Sequence, residues 1–230
     1  MCNGWLWYPD LNFIYNKQIK LRDEIWEKLI WFFFQNQSDC VQSKLVLEVG
    51  SGTGLVAIVA GLCGAKTVFA TDLPFILPLL KINLDKNVSN SVGIFDISTL
   101  DVTSPPNFED VEMGDVDVVI GTDVVYDYEI TDGLVDTIKK LICRKPFKEK
   151  KFLFSVEKRY IFSVDSLDTV APAFDYFETR LEDLKSDLLL NDNVFLEIDY
   201  IPISQIFQSF CYERSKDLTL LKLVSSLNKK

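Results

Sequence analysis

The chain contains no histidine. Ser-His-Asp and Cys-His nucleophilic sites are excluded on that ground, and zinc loses its usual nitrogen ligands. Proton transfer falls to carboxylates, tyrosine or lysine, and no metal is expected. Cysteines are scattered: Cys2, Cys40, Cys63, Cys143 and Cys211 form no C-x-x-C pair. An odd count without a secretory segment points to reduced thiols in an intracellular compartment. Cations are also short, with 24 Lys and Arg against 34 Asp and Glu for a net charge of −10. Direct gripping of nucleic acid, which needs clustered Lys and Arg, is therefore not expected. The acidity serves solubility first and would also suit a basic protein partner. Long apolar runs are missing too. After the N-terminal aromatics the next unbroken apolar run, Leu29–Phe34, is only six residues, far short of the ~20 that a membrane span requires.

The 230 residues are 48% apolar and 25% charged, the composition of an ordinary globular chain of about one domain. Aromatics crowd the N-terminal region (Trp5, Trp7, Tyr8, Phe13, Tyr15), but Asp10, Lys17, Lys20 and Arg22 interrupt them, so there is no signal-peptide core. Residues 21–34 carry Ile25, Trp26, Leu29, Ile30 and Phe33 at helical spacing, which predicts an amphipathic helix packed in front of the first strand. The expected organisation is an aromatic-rich helical segment over residues 1–43 and one ligand-binding domain over 44–230.

The sharpest local signal is Glu48-Val49-Gly50-Ser51-Gly52-Thr53-Gly54, between the apolar runs Leu45–Leu47 and Leu55–Leu62. It reads as strand, glycine loop and helix. A helix N-terminus offers unpaired N–H groups and a positive dipole end, and glycines let a ligand lie against bare backbone. The dinucleotide spacing G-x-G-x-x-G/A fails, because Leu55 holds the third position and the last glycine comes one residue early. No phosphate-cradling G-x-x-x-x-G-K-[ST] run occurs anywhere.

Further strands are predicted at Thr67–Thr71, Val92–Ile97, Val116–Ile120 and Phe152–Val156, with helices over Phe75–Asn87, Ile130–Cys143 and Val170–Leu184. Strands alternating with helices imply βαβ units and a mostly parallel sheet with helices on both faces. Val194–Ile201 and Asp217–Val224 have no clear helix between them, so an antiparallel C-terminal hairpin is expected, with 202–214 as an insertion. Ligands of such a sheet bind outside the carboxyl ends of its strands.

Three acidic residues follow those ends: Glu48, Asp72 and Asp123. Asp72 stands 22 positions after Gly50, where a carboxylate accepts ribose hydroxyls; the structural alternative is a helix cap. Asp96 or Asp101, in or after the third strand, would lie near an adenine, and spacing does not choose between them. In Gly121-Thr122-Asp123-Val124-Val125-Tyr126-Asp127, Asp123 and Tyr126 could orient a nucleophile, or Asp123 could cap the next helix while Tyr126 packs. The prolines of an N-P-P-Y loop are absent, which weighs against a base-modifying enzyme.

Together the glycine loop, Thr71-Asp72-Leu73-Pro74 and the Asp123-Val124-Val125-Tyr126 tetrad resemble the seven-β-strand protein-lysine methyltransferases of methyltransferase family 16. Phe154-Ser155-Val156-Glu157-Lys158-Arg159, Ala173–Phe177 and Tyr212–Ser215 are similar to one subgroup, which methylates a lysine of a nuclear zinc-finger protein. The resemblance covers roughly residues 44–224. It implies a class I (Rossmann-like) α/β methyltransferase fold with S-adenosyl-L-methionine as cofactor. It also implies a protein substrate presenting a lysine, a monomer, and a place in the nucleus or cytoplasm. By that likeness Glu48, Gly50, Ser51, Gly52, Thr53, Gly54, Asp72, Leu73, Asp101 and Thr122 hold the cofactor, and Asp123 with Tyr126 forms the catalytic centre. Leu100-Asp101-Val102 stands where the family has Leu-Asp-Trp, and Gln18-Ile19-Lys20 where it has Gln-x-Trp. Two rival expectations are a cofactor-binding scaffold that no longer catalyses and an NAD(P)-dependent oxidoreductase. The latter has the wrong glycine spacing and no Tyr-x-x-x-Lys pair.

Overall fold

The computed structural model describes residues 40–88, 93–104, 112–163, 167–206 and 215–228. The expected helix over 21–34 lies outside them, as do most of the 1–43 segment and residues 207–214 of the C-terminal insertion.

Seven strands form one sheet in the order β3-β2-β1-β4-β5-β9-β8. They are β1 (Leu45–Val49), β2 (Thr67–Asp72), β3 (Ile94–Thr99), β4 (Val118–Thr122), β5 (Lys150–Glu157), β8 (Val194–Ile201) and β9 (Leu218–Leu227). Strands β1 to β5 pair in parallel. Strand β9 runs antiparallel to both β5 and β8. The expected hairpin is therefore present, and its second strand is inserted inside the sheet rather than added at the edge. A separate two-stranded ribbon pairs β6 (Ile161–Ser163) with β7 (Asp168–Val170).

Among the described residues the α-helices are α1 (Leu55–Leu62), α2 (Leu77–Asn87), α3 (Tyr128–Cys143) and α4 (Pro172–Asp187). Helix α1 is apolar all round and buried from Leu55 through Gly61, as befits a helix covered on every side. With Leu80 and Leu84 of α2 it covers one face of the sheet, over Val46, Val68, Ala70, Val118 and Ile120. The other face, with Leu47, Phe69, Val119, Phe152 and Phe154, packs on Leu134, Ile138 and Leu141 of α3 and on Phe174, Phe177 and Leu181 of α4. Alternate residues of β1 thus enter opposite cores, which is why a doubly covered strand reads as a continuous apolar run.

Several boundaries move from their sequence expectations. Helix α3 starts two residues early because the Asp127 carboxylate caps it, accepting from the N–H groups of Glu129 and Ile130. Helix α4 starts at Pro172, whose missing N–H costs nothing in the first turn. Strands β3 and β4 begin at Ile94 and Val118. In β4 the preceding Asp117 turns its carboxylate onto the Leu45 N–H at 2.8 Å instead of entering the strand. No helix among the described residues is long and apolar enough to cross a membrane.

Candidate active site

Strands β1, β2 and β3 step one way across the sheet and β4 and β5 the other, so the chain reverses direction between β1 and β4. A crevice opens beyond the carboxyl ends at such a point. The glycine loop lies there. Gly50, Gly52 and Gly54 have φ of +70°, +51° and +86°. Gly54 is pinned by packing, since a Cβ on it would lie 2.5 Å from Leu80 Cδ1. Gly52 differs: a Cβ there would meet nothing within 4 Å. Its left-handed backbone and open side make a cradle of bare main chain. The loop is tied down around that opening by Ser51 N–H to Thr71 O at 2.9 Å and by Asn83 Nδ2 to Thr53 O at 2.8 Å.

Asp72 closes the cradle's flank. Its Oδ2 accepts the Gly52 N–H at 2.7 Å and its Oδ1 accepts the Leu73 N–H at 2.7 Å. Each carboxylate oxygen keeps a further lone pair, so the group is fixed in place and still able to accept a diol. It does not cap α2, whose N-terminus has no side-chain cap.

Glu48 is placed differently from a surface ligand residue. It is 1% exposed and lies on the α1 side of β1, next to Ser51 and the Ala57 N–H in the first turn of α1. Burial raises its carboxyl from an ordinary 4.5 to about 8, outweighing those two neighbours, which favour the ionised form. Its Oε2 and the Ser51 Oγ are both buried without a hydrogen-bond partner. Glu48 thus lies beneath the loop, within the core.

At the end of β3, Asp101 accepts the Thr103 N–H at 3.0 Å and the Thr103 hydroxyl at 2.7 Å. Those bonds hold its carboxyl below the ordinary range. Asp96 sits inside β3 opposite Phe69 and bonds the Ser98 hydroxyl at 3.0 Å. Only Asp101 shares the carboxyl end of the sheet with the glycine loop.

Thr122 is the last residue of β4, 8% exposed and paired with Ser155 of β5. Asp123 then turns into the left-handed region with φ +55°, which Asp tolerates better than most residues. Its N–H is held by Ser155 O at 2.9 Å. The expectation that Asp123 might cap the following helix is overturned, because Asp127 does so. Val124 joins the two halves of the site: a Cβ on Gly50 would lie 2.9 Å from its Cγ1. Tyr126 is 51% exposed.

One site residue was quoted from the sequence and given no role. Arg159, two positions beyond the end of β5, puts Nη2 at 2.8 and 2.7 Å from the two oxygens of Asp123, and its guanidinium carbon lies 5.9 Å from the centre of the Tyr126 ring. The signal available was a cation just past the carboxyl end of a strand adjacent to β4. Among the described residues no group of three His, Cys, Asp or Glu could hold a metal ion.

A family model described as lysine methyltransferase matches residues 12–170. Methyltransferase-like protein 22 of Mus musculus is 30% identical over 204 residues, covering 81% of this chain and 50% of its own. Protein N-lysine methyltransferase METTL21A of Danio rerio is 28% identical over 156 residues, covering 63% of this chain and 71% of its own. The chain spans about half the length of the methyltransferase-like protein 22 relatives it matches. Two solved structures share the fold. One is an S-adenosylmethionine-dependent methyltransferase from Clostridium acetobutylicum, with TM-score 0.53 and 14% identity over 96% of this chain and 99% of that one. The other is magnesium protoporphyrin IX methyltransferase from Synechocystis, with bound SAH, TM-score 0.52 and 14% identity over 98% of this chain and 90% of that one. Matched by its model over more than half its length, the chain belongs to the lysine methyltransferase family.

Proposed function

We propose that this protein transfers a methyl group from S-adenosyl-L-methionine to the ε-amine of a lysine in a protein substrate. The observation that carries the reading is the bare, open Gly52 held 2.7 Å from the Asp72 carboxylate, on a loop that touches the Asp123–Tyr126 segment through Val124. When bound, the cofactor supplies an electrophilic methyl on a sulfonium.

The residues of the chain fit such a group. The open main chain at Gly52, with Ser51, Thr53 and Leu73 beside it, suits the amino-acid part, and Asp72 accepts the ribose hydroxyls. Asp101 takes the adenine end, and Thr122 forms the floor. Lysine must be neutral to attack, and from a free pKa of ~10.4 deprotonation at pH 7 costs about 4.6 kcal/mol. Entry beside a positive sulfonium lowers that cost. Asp123 accepts a hydrogen bond from the amine and aims its lone pair, with the proton passing to water. Tyr126 walls the channel and offers its ring face to the cationic product. Most of the acceleration comes from holding the amine in line.

The acidic chain suits a basic protein target. The likeness of Phe154–Arg159 and Ala173–Phe177 to the subgroup acting on a nuclear zinc-finger protein extends the reading to a nuclear target, with the enzyme a monomer in nucleus or cytoplasm. Incubation with methyl-labelled cofactor and a cell lysate tests it. A labelled protein band is expected with wild type and none with Asp123→Ala, while calorimetry shows S-adenosylhomocysteine affinity within about 2-fold for the two. Binding of S-adenosylhomocysteine without any labelled band would favour a non-catalytic scaffold. Absence of binding would end both readings.

A further inference from the structure

The carboxylate and ring assigned to the incoming amine already hold a cation. Arg159 Nη2 donates to both oxygens of Asp123 at 2.8 and 2.7 Å, and the guanidinium stands 5.9 Å from the Tyr126 ring centre. A carboxylate on one side and an aromatic face on the other is the environment that a lysine ammonium, or its methylated product, calls for.

Two features make this a seat with an occupant rather than a fixed strut. The main chain of Asp123 is held by φ +55° and the N–H bond to Ser155 O, so the residue keeps its place beyond β4 without Arg159. Arg159 comes from the stretch 158–160 between β5 and β6, outside any strand, and its side chain is 47% exposed. It can swing out without breaking a sheet ladder.

We infer that Arg159 is a resident surrogate for the substrate lysine: it occupies the Asp123–Tyr126 seat at rest and is displaced when a primary ammonium enters. The inference rests on the proposed lysine methyl transfer. Displacement is an exchange of one cation for another and forms no bond. Arg159 therefore sets a threshold that a weakly bound amine does not cross, which makes it a specificity-determining residue. Because exposed ion pairs are weak, removing it should tighten amine binding by about 2- to 5-fold.

The test uses n-butylammonium, the lysine side chain without its backbone, titrated into the full chain and followed by NMR. Expected are binding about 2- to 5-fold tighter in Arg159→Gln than in wild type, a return to wild-type affinity in Arg159→Lys, and no binding in Asp123→Asn. Equal or weaker binding in Arg159→Gln overturns the inference. On the protein that accepts label from wild type, Arg159→Gln should lower KM, whereas a fall in kcat at unchanged KM is the signature of a strut and also overturns it. The two readings fail separately. Label transfer with indifferent butylammonium binding removes the surrogate and keeps the methyltransferase. Tighter binding without label in any band keeps the cation seat and removes the proposed reaction.

Discussion

At the amino ends of β1, β4 and β5 polar groups are paired off. Asp117 accepts the Leu45 N–H at 2.8 Å and the Lys148 ammonium at 2.8 Å. The buried Lys150 ammonium donates to Gly114 O and Val116 O at 3.1 and 2.9 Å, and Arg144 reaches Asp115 at 3.0 Å. Among the described residues four buried side-chain oxygens have no partner: Thr137 Oγ1 within α3, and Glu48 Oε2, Ser51 Oγ and Ser155 Oγ at the carboxyl ends of these strands. There Asp123 sits at a positive φ, and Gly52 faces open space. Buried polar groups are nearly always satisfied, and three of these four exceptions gather at the end that holds the candidate site. One end is closed by its own polar contacts; the other leaves polar groups and bare main chain open.

The contrast can be broken from either side. The largest effect is expected from Gly52→Val, which fills the open cradle: S-adenosylhomocysteine affinity should fall at least about 100-fold, roughly 2.7 kcal/mol. The left-handed backbone should cost the fold only about 1–2 kcal/mol. Calorimetry and urea denaturation check the two halves. Asp117→Ala, at the closed end, should do the reverse. Loss of a charged partner for a strand N–H should cost about 2 kcal/mol of stability, with cofactor affinity unchanged in the folded protein. Next comes Asp72→Asn, for which we expect about a 10-fold loss of S-adenosylhomocysteine affinity, near 1.4 kcal/mol, measured by the same titration.

The remaining effect is a slope, small at each step of pH. Glu48 binds its proton more tightly folded, at about 8, than at its ordinary 4.5. Its contribution to stability is therefore fully present below pH 4.5 and is lost as pH rises toward 8. Wild type should lose up to about 1.4 kcal/mol per pH unit across that window relative to Glu48→Gln, as read by urea denaturation at a series of pH values.

The sequence was most legible where local chemistry and tertiary packing agree. Leu55–Leu62 is the helix that its apolar run between glycines implies, and Thr67–Asp72 is a strand that ends on the carboxylate proposed for the ribose. Val194–Ile201 and the strand after it pair as expected, though β9 runs to Leu227 because its alternation continues past Val224. Ile161–Ser163 and Asp168–Val170 were invisible. Three residues are too few to show a period, and only their pairing makes them strands. Asp101 and Asp96 could not be separated by counting, since the choice depends on where β3 stops. Arg159 was missed for a plainer reason: it lies 36 positions from Asp123, and only the parallel register of β4 with β5, Thr122 opposite Ser155, brings them together.

The placement of β9 has a consequence for how the chain reaches this state. Strand β5, which launches Arg159, gains its second neighbour only from residues 218–227, some seventy positions later. Until that segment arrives, β5 presents an apolar, unpaired flank of the kind through which partly folded chains stick to one another. Trimming the last ten-residue strand should therefore yield not a smaller soluble chain but an aggregating one.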